Sequence, residues 1–526
     1  MSTWLALAFA ALPLQLAQRA LDPALARTLA LVVVDGSAQR AAVLACNDRA
    51  CQAGIGPGMK LAAARALARD LVVAVHDPTR EQAALQQLAC WAYQFSAQVV
   101  LFPPHEGAGL SIETGASARL FGGHAALRRR IVEGLRQLGY RASDAAAGVP
   151  AAARLLARAR AAGAGPPRAA AAAAQGAGPS RPQPVTGEVL RARLAGLPLE
   201  LLGWDAPAIE TLHTLGQHRI GDLWALPRAS FARRFGAQRL LDLDRLLGTV
   251  ADPQVCFVPP QRFAARLDLP ADLADIEGLL PALQHLLQLL EGFLRGQGSG
   301  ATALQLRAIH SPRRTQVRPP TAVALALALP ERDPQRLLGL FRERLARVSL
   351  PEAAICLELE LERMAAWVPL PASFLPPAPQ AAQAEETLHL AETLHARLGP
   401  QGVFRLQPLS DHRPERAYRL LELAPAAAAV PAVAPPAHQR PLLLLPRPRR
   451  LQAAAGTRDG PRYGGPLVLL AGPERIEAGW WDIGAAPQPA VVQRDYFVAR
   501  NGRGQTLWIY RELVAPHEWF LHGFFA

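Results

Sequence analysis

The sequence predicts a multidomain α/β chain that ends in a small β-rich module. Three observations predict it. Residues 4–160 alternate short β-branched runs with amphipathic stretches, the pattern of strands and helices layered on one core. Residues 190–250 read as helices joined by short turns, between two mixed segments. Residues 440–526 are rich in aromatic and β-branched residues, which favour strands. At 526 residues the chain exceeds one ordinary core and suggests roughly three to five units.

Taken in order, Trp4 to Leu16 is apolar enough to imitate the core of a signal peptide. Met-Ser-Thr before it carries no positive charge, and the run is too short to span a bilayer, so it reads as a buried first strand entering a turn at Pro13. Leu29–Asp35 and Val43–Asn47 are further strands, followed by a helix and a Gly-Ile-Gly-Pro-Gly turn at 54–58. A helix Leu61–Ala68, a strand Leu71–Val75 and a helix Glu81–Phe95 precede strands near Val99 and Leu110. Residues 161–184 are low-complexity Ala, Gly and Pro, a surface connection. Beyond the helical segment, a helix is expected at Ile276–Arg295, strands at Ala303–Ala308 and Ala353–Leu361, and a helix at Asp333–Arg347. Residues 424–439 read as a Pro/Ala linker.

Composition limits the partners. Basic residues outnumber acidic ones 56 to 43, for a net charge of +13, which suits a polyanion. Lys60 is the only lysine, so the charge is almost all arginine; with the abundant Ala and Pro this is the mark of GC-rich coding, and alanine runs say less about helices than usual. The five cysteines are scattered, and Cys46 and Cys51 form a lone C-x4-C without a second pair. Reduced thiols are expected rather than zinc, and the chain is expected in the cytoplasm.

The helical segment holds Leu212-His-Thr-Leu-Gly216, Ile220-Gly-Asp-Leu223 and Arg234-Phe-Gly236. Short helices joined at glycine let backbone amides approach a phosphate, and this resembles a helix-hairpin-helix; an ordinary glycine-capped turn is the other reading. With Val43-Leu-Ala-Cys-Asn-Asp48, Gly54-Ile-Gly-Pro-Gly-Met59, Asp70-Leu71, Ser96–Val99 and Ala118-Arg-Leu-Phe-Gly-Gly123, the order of the chain resembles a Y-family translesion polymerase over about residues 1–365. The tail narrows the likeness. Asp411-His-Arg-Pro-Glu-Arg416, Gly472-Pro-Glu-Arg-Ile-Glu477, Gly479-Trp-Trp-Asp482, Arg494-Asp-Tyr-Phe-Val-Ala-Arg500 and Trp519-Phe-Leu-His-Gly-Phe-Phe-Ala526 resemble the ImuB family, the polymerase-like subunit of a bacterial SOS mutagenesis cassette.

The resemblance implies a palm in residues 1–28 and 72–160, fingers in 29–71, a thumb with the helix-hairpin-helix in 185–252 and an α+β little finger in 253–366. Residues 367–439 would hold a clamp peptide, a helix and a linker, and 440–526 a partner-binding module.

The same resemblance locates the chemistry. Nucleotidyl transfer requires two divalent cations held by converging carboxylates. The first metal-ligand position falls at Ala6, with a companion near Ala8, and no Asp or Glu occurs before Asp22. The later Asp-Glu pair lands on Glu106-Gly107 and a nearby Asp position on Ser111, so at most one carboxylate survives; Glu106 also reads as a solvated loop residue. The Tyr and Arg that hold the triphosphate in active relatives become Asp48 and Cys51, a repelling charge and a thiol with no bidentate donor. The expectation is a pseudo-enzyme without cofactor or metal. The competing reading is an active translesion polymerase with a rebuilt metal site, and a third is a DNA-structure binder working alone.

DNA contact is expected through Gly216 and Gly221 of the hairpin and through Arg262 and Arg266, although each arginine also reads as a solvated charge. The resemblance further implies binding to the β sliding clamp, for which Phe374 and Leu375 are candidates although a leading glutamine is missing; Gln439-Arg-Pro-Leu442 is a second candidate. It also implies contact with a RecA-like cassette partner and an error-prone DnaE-type polymerase through the tail, at Trp480, Trp481, Asp482, Tyr496, Trp519, Phe520 and His522. The terminal Trp519–Phe525 stretch reads as an exposed docking peptide, as core, or as a DNA-stacking element.

Overall fold

The computed structural model describes residues 2–19, 28–36, 41–163, 187–310, 319–367, 379–399, 402–422, 440–453, 460–480 and 491–525. They form two compact units, residues 1–397 and 398–526.

The first unit begins with β1 (Trp4–Ala8), buried along its whole length. The helix α1 (Leu12–Arg19) follows directly. The expected turn at Pro13 is therefore absent: Pro13 sits in the first helical turn, where a missing N–H costs nothing. Strands β2 (Leu31–Asp35), β3 (Ala42–Cys46) and, after the short helices α2 (Asp48–Gln52) and α3 (Leu61–Leu67), β4 (Val72–Val75) form a small sheet in the order β3-β2-β4. Its β2–β4 pair is parallel. The helix α4 (Pro78–Ala92) leads to β5 (Val99–Leu101), β6 (Gly109–Glu113), α5 (His124–Gln137), β7 (Ser143–Ala147) and α6 (Pro150–Ala161). These strands build an antiparallel sheet, β5-β6-β1-β7.

Alternation along β1 divides that sheet into two faces. Leu5, Leu7 and Phe9 enter one core with residues of α4 and α5. Trp4, Ala6 and Ala8 enter another with Ala153, Leu156 and Ala157 of α6 and with the helices that follow. Those helices are α7 (Glu188–Ala195), α8 (Ala206–Thr214), α9 (Ile220–Leu223), α10 (Arg228–Phe235) and α11 (Ala237–Leu247), as the turn-rich helical reading expected.

The rest of this unit is a four-stranded antiparallel sheet, β10-β9-β11-β8, made of β8 (Ala264–Leu273), β9 (Ser299–His310), β10 (Thr321–Glu331) and β11 (Ala354–Ala366). The helices α12 (Ile276–Gly296) and α13 (Pro334–Leu345) cover one face, and α14 (Pro379–Leu398) follows. Strand β10 has no counterpart in the sequence reading, and β9 and β11 run longer than expected, because alanine-rich stretches such as TAVALALALPE carry little strand signal.

One core joins this sheet to the first. Leu283, Leu286, Leu290 and Phe293 of α12 share a cluster with Leu88 and Trp91 of α4. Trp91 occupies a slot between two glycines: a Cβ on Gly134 of α5 would lie 2.5 Å from its ring, and one on Gly292 of α12 only 2.3 Å. Any side chain at either position would drive the indole out.

The second unit holds the hairpin-like pair β12 (Phe404–Pro408) and β13 (Tyr418–Glu422), then β14 (Leu443–Arg450) and the two-residue strands β15 (Gln452–Ala453) and β16 (Pro461–Arg462). Strands β17 (Val468–Ala478), β18 (Val492–Arg500), β19 (Thr506–Glu512) and β20 (Trp519–Phe524) complete a five-stranded sheet, β14-β20-β19-β18-β17. The β-rich tail is thus as expected, but the reading of its last residues as an exposed docking peptide is overturned. β20 is an internal strand with Leu521 and His522 buried, because its alternating apolar residues are paired on both edges.

Candidate functional site

In the first sheet Ala6 lies opposite Ser111 on one side and Ala145 on the other, with Ala8 opposite Gly109. Ala6 and Ser111 are both 0% exposed. Methyl groups and a hydroxyl therefore line this part of the sheet. Phe9 donates its N–H to the Ala108 carbonyl, so the chain at Gly107 and Glu106 continues just past the end of β1. Pro104–Glu106 is a single 3-10 turn that Gly107 closes at φ +83, a conformation that favours glycine.

Glu106 is not the solvated loop residue that was one reading of it. Its Oε2 accepts a hydrogen bond from Nε of Arg154 at 3.0 Å, and Nη1 of Arg158 lies 3.7 Å away. Arg154 also donates to Gln254 Oε1 at 2.8 Å and lies 3.8 Å from Asp252, whose carboxylate accepts from the Ala151 amide. Arg154 and Arg158 project together because they are four residues apart on α6. Burial draws the Arg158 guanidinium below its ordinary range, with Glu106 opposing and Arg154 adding to the effect. Two carboxylates thus face two guanidinium groups, and the cluster has no net charge to offer a dication. Among the described residues no group of three His, Cys, Asp or Glu side chains could hold a metal.

Sequence reasoning missed Arg154, Arg158, Asp252 and Gln254. The available signal was a pair of arginines at helical spacing in the apolar stretch AAARLLARARA.

Asp48 and Cys51 lie three residues apart on α2, both exposed. Asn47 caps that helix, its Oδ1 accepting from the Ala50 amide at 2.9 Å. Neither side chain is a cationic or bidentate donor for a phosphate.

The hairpin differs from expectation. Gly216 has φ +77 and open space around it, but the amides of Gly216, Gln217 and Ile220 donate to His213, Leu212 and Leu197 carbonyls. Those of His218 and Arg219 donate to Asp222 Oδ2 at 3.0 and 2.8 Å. These amides, with the nearby charges, hold the Asp222 carboxyl below its usual range, the Arg219 amide contributing most. Gly221 is required by packing, since a Cβ there would lie 2.9 Å from Ala195 of α7. The Gly216 amide is thus engaged within the turn, whereas Gly221 lies in the first turn of α9.

Arg266 is likewise committed. It contacts Asp268 of its own strand at 3.1 Å and Glu358 of β11 at 3.2 Å, and across β11 Arg307 of β9 meets Glu360 at 3.4 Å. Arg262 is exposed, and no ion pair engages it among the described residues. The clamp candidates Phe374 and Leu375 lie outside the described residues, as do Gln439, Trp481 and Asp482. Leu442 is 99% exposed, and Arg440 pairs with Glu474 at 2.8 Å.

In the tail, Tyr496 and His522 are each 1% exposed and belong to an aromatic core, not to an interface. Tyr496 stacks on Trp508 with ring centres 4.2 Å apart, and its hydroxyl meets His522 Nδ1 at 2.8 Å. Burial pushes the His522 imidazole down to about 4. Trp519 and Phe520 are half-buried against Phe497 and Tyr510. Trp480 is 68% exposed.

The sheets, the appended helices and the tail module define a polymerase-like α/β protein. A family described as impB/mucB/samB matches residues 9–158. Protein ImuB of Caulobacter vibrioides, in strains NA1000 / CB15N and ATCC 19089 / CIP 103742 / CB 15, is 31% identical over 492 residues, covering 90% of this chain and 100% of the relative. The chain belongs to the ImuB family. Among solved structures, DinB from Sulfolobus solfataricus aligns at 16% identity and TM-score 0.35, over 68% of this chain and 98% of that one. An insertion ternary complex of Dbh DNA polymerase aligns at 15% identity and TM-score 0.36, over 69% and 100%.

Proposed function

We propose that this chain is a non-catalytic, DNA-binding hub of SOS-induced translesion synthesis and mutagenesis. It recruits an error-prone replicative-type polymerase to damaged DNA. The observation that carries this reading is the pairing of Glu106 with Arg154 and Arg158 beside a sheet lined by Ala6 and Ser111. Binding magnesium at Glu106 would mean breaking a buried charge pair, and one carboxylate competes poorly with the water held by the ion.

In this reading residues 1–28 and 72–160 are the palm, 29–71 the fingers, 185–252 the thumb and 253–366 the little finger. DNA is held by exposed arginines such as Arg262 and by the hairpin around Gly221, in a salt-sensitive and weakly sequence-selective way. The clamp is met through Phe374 and Leu375, and the RecA-like and DnaE-type partners through Trp480, Trp481, Asp482, Trp519 and Phe520. The work is done in the cytoplasm. No helix among the described residues is long and apolar enough to cross a membrane.

The test is primer extension by the full chain with magnesium or manganese and no other polymerase. No incorporation is expected. Incorporation that vanishes in Glu106→Ala would establish the alternative, an active enzyme with a rebuilt metal site. Partner recovery that is unchanged after deletion from residue 440 would remove the tail from this account.

A further inference from the structure

Cys46 closes β3 and Cys51 lies on α2, with their sulfur atoms 3.1 Å apart. That is about 1 Å beyond a covalent S–S bond. The approach is built in by Asn47 between them. Its buried side chain accepts from the amides of Ala50 and Leu31 and donates to the Leu29 carbonyl at 2.9 Å. Its own carbonyl accepts from the Cys51 amide at 2.9 Å. β3 is fixed in turn by pairing with β2, where Cys46 lies opposite Val32. Both thiols are thus held in place by the fold, which lowers the entropy cost of joining them.

We propose that Cys46 and Cys51 are a redox-active dithiol that closes to a disulfide when Cys51 meets a hydroperoxide. Cys51 is the exposed partner and reacts first. Its thiolate attacks a peroxide oxygen; an S–O bond forms, the O–O bond breaks, and the leaving alkoxide, or hydroxide from hydrogen peroxide, takes a proton to become the alcohol or water. Cys46 sulfur then attacks the sulfenic sulfur of Cys51. The S–S bond forms, the S–O bond breaks, and the departing hydroxide leaves as water with the proton of Cys46. Two thiols are oxidised by two electrons and one peroxide is reduced by two. A dithiol reverses the change by exchange.

The order of events follows from the surroundings. Burial, contact with Cys51 and the charge of Asp48 push the Cys46 thiol up to about 11, so it keeps its proton until the second step. Cys90 and Cys356 are buried and pushed up to about 11 and about 12, mainly by burial, and stay inert. Cys256 is exposed and has no second cysteine against it among the described residues, which makes it an internal control. The disulfide would tie β3 to the exposed turn that carries Asp48.

Trypsin separates the pair, because Arg49 lies between the cysteines. The full chain is titrated with hydrogen peroxide, alkylated, digested and mapped by mass. The expected product joins residues 41–49 to residues 50–60, lighter by two hydrogen atoms than the separate peptides and released by dithiothreitol. In Cys46→Ser the expected product is a sulfenic acid on Cys51, trapped by a dimedone reagent. Recovery of both peptides singly alkylated, at peroxide levels that fully oxidise Cys256, would overturn the proposal. So would over-oxidation of Cys51 without a cross-link.

Discussion

Arg154 donates its Nε–H to the carboxylate of Glu106 at 3.0 Å, across 48 residues of chain, and both side chains are largely withdrawn from water. Glu106→Ala would leave Arg154 with Asp252 and Gln254 and would remove the carboxylate that Arg158 faces. A loss of about 3 kcal/mol is expected, since an uncompensated buried charge is costly. Urea unfolding followed by tryptophan fluorescence measures it, and an unchanged midpoint would mean that the pair contributes nothing.

The slot around Trp91 makes a second prediction. Gly292→Ala places a methyl group inside the indole's volume and should cost about 1–3 kcal/mol by overpacking. Trp91→Ala should cost about 3–5 kcal/mol through the cavity it leaves. Both changes should also speed protease cleavage between α4 and α12. A wild-type cleavage rate in Gly292→Ala would show that the slot relaxes freely.

Acid should weaken the tail module. His522 in the folded state protonates near 4, below the unfolded value of about 6.5. The unfolded chain therefore takes up a proton first as pH falls. The stability tied to neutral His522 is complete above about 6.5 and is lost between there and about 4, by at most about 3 kcal/mol. Hydrogen exchange of residues 492–524 in the full chain should accelerate across that window. His522→Phe should flatten the dependence.

DNA affinity should separate the two arginines of β8 and its approach. Arg262→Ala is expected to reduce the slope of log affinity against log salt by about one. Arg266→Ala should leave it nearly unchanged, because Asp268 and Glu358 already neutralise that charge. Equal slopes for both variants would sink the distinction.

The strand-helix alternation of residues 4–160 and the β-rich tail were legible because periodicity is local and each element buries one side. Strand β10 was not, since its alternate exposed positions are alanines that look neither polar nor apolar. The absence of an acidic residue before Asp22 could be read directly, but not the surroundings of Glu106. Its partners lie 48 and 52 residues away on a helix whose arginines look solvated in sequence. The hairpin hid a second requirement for a related reason: the lack of a Cβ at Gly221 also serves α7 at Ala195. Nothing in a glycine's one-letter code says which neighbour needs the room. His522 was read as an interface residue because aromatics mark both interfaces and small cores, and only the pairing of β20 on both edges decides between them.

The indole lodged between Gly134 and Gly292 has a mechanical consequence. Clamping down by a swing of the β8–β11 layer against the β1 layer would first require extracting a tryptophan from its socket. Relative motion of these two layers therefore waits on breaking that joint, and is slower than the motion of any surface loop.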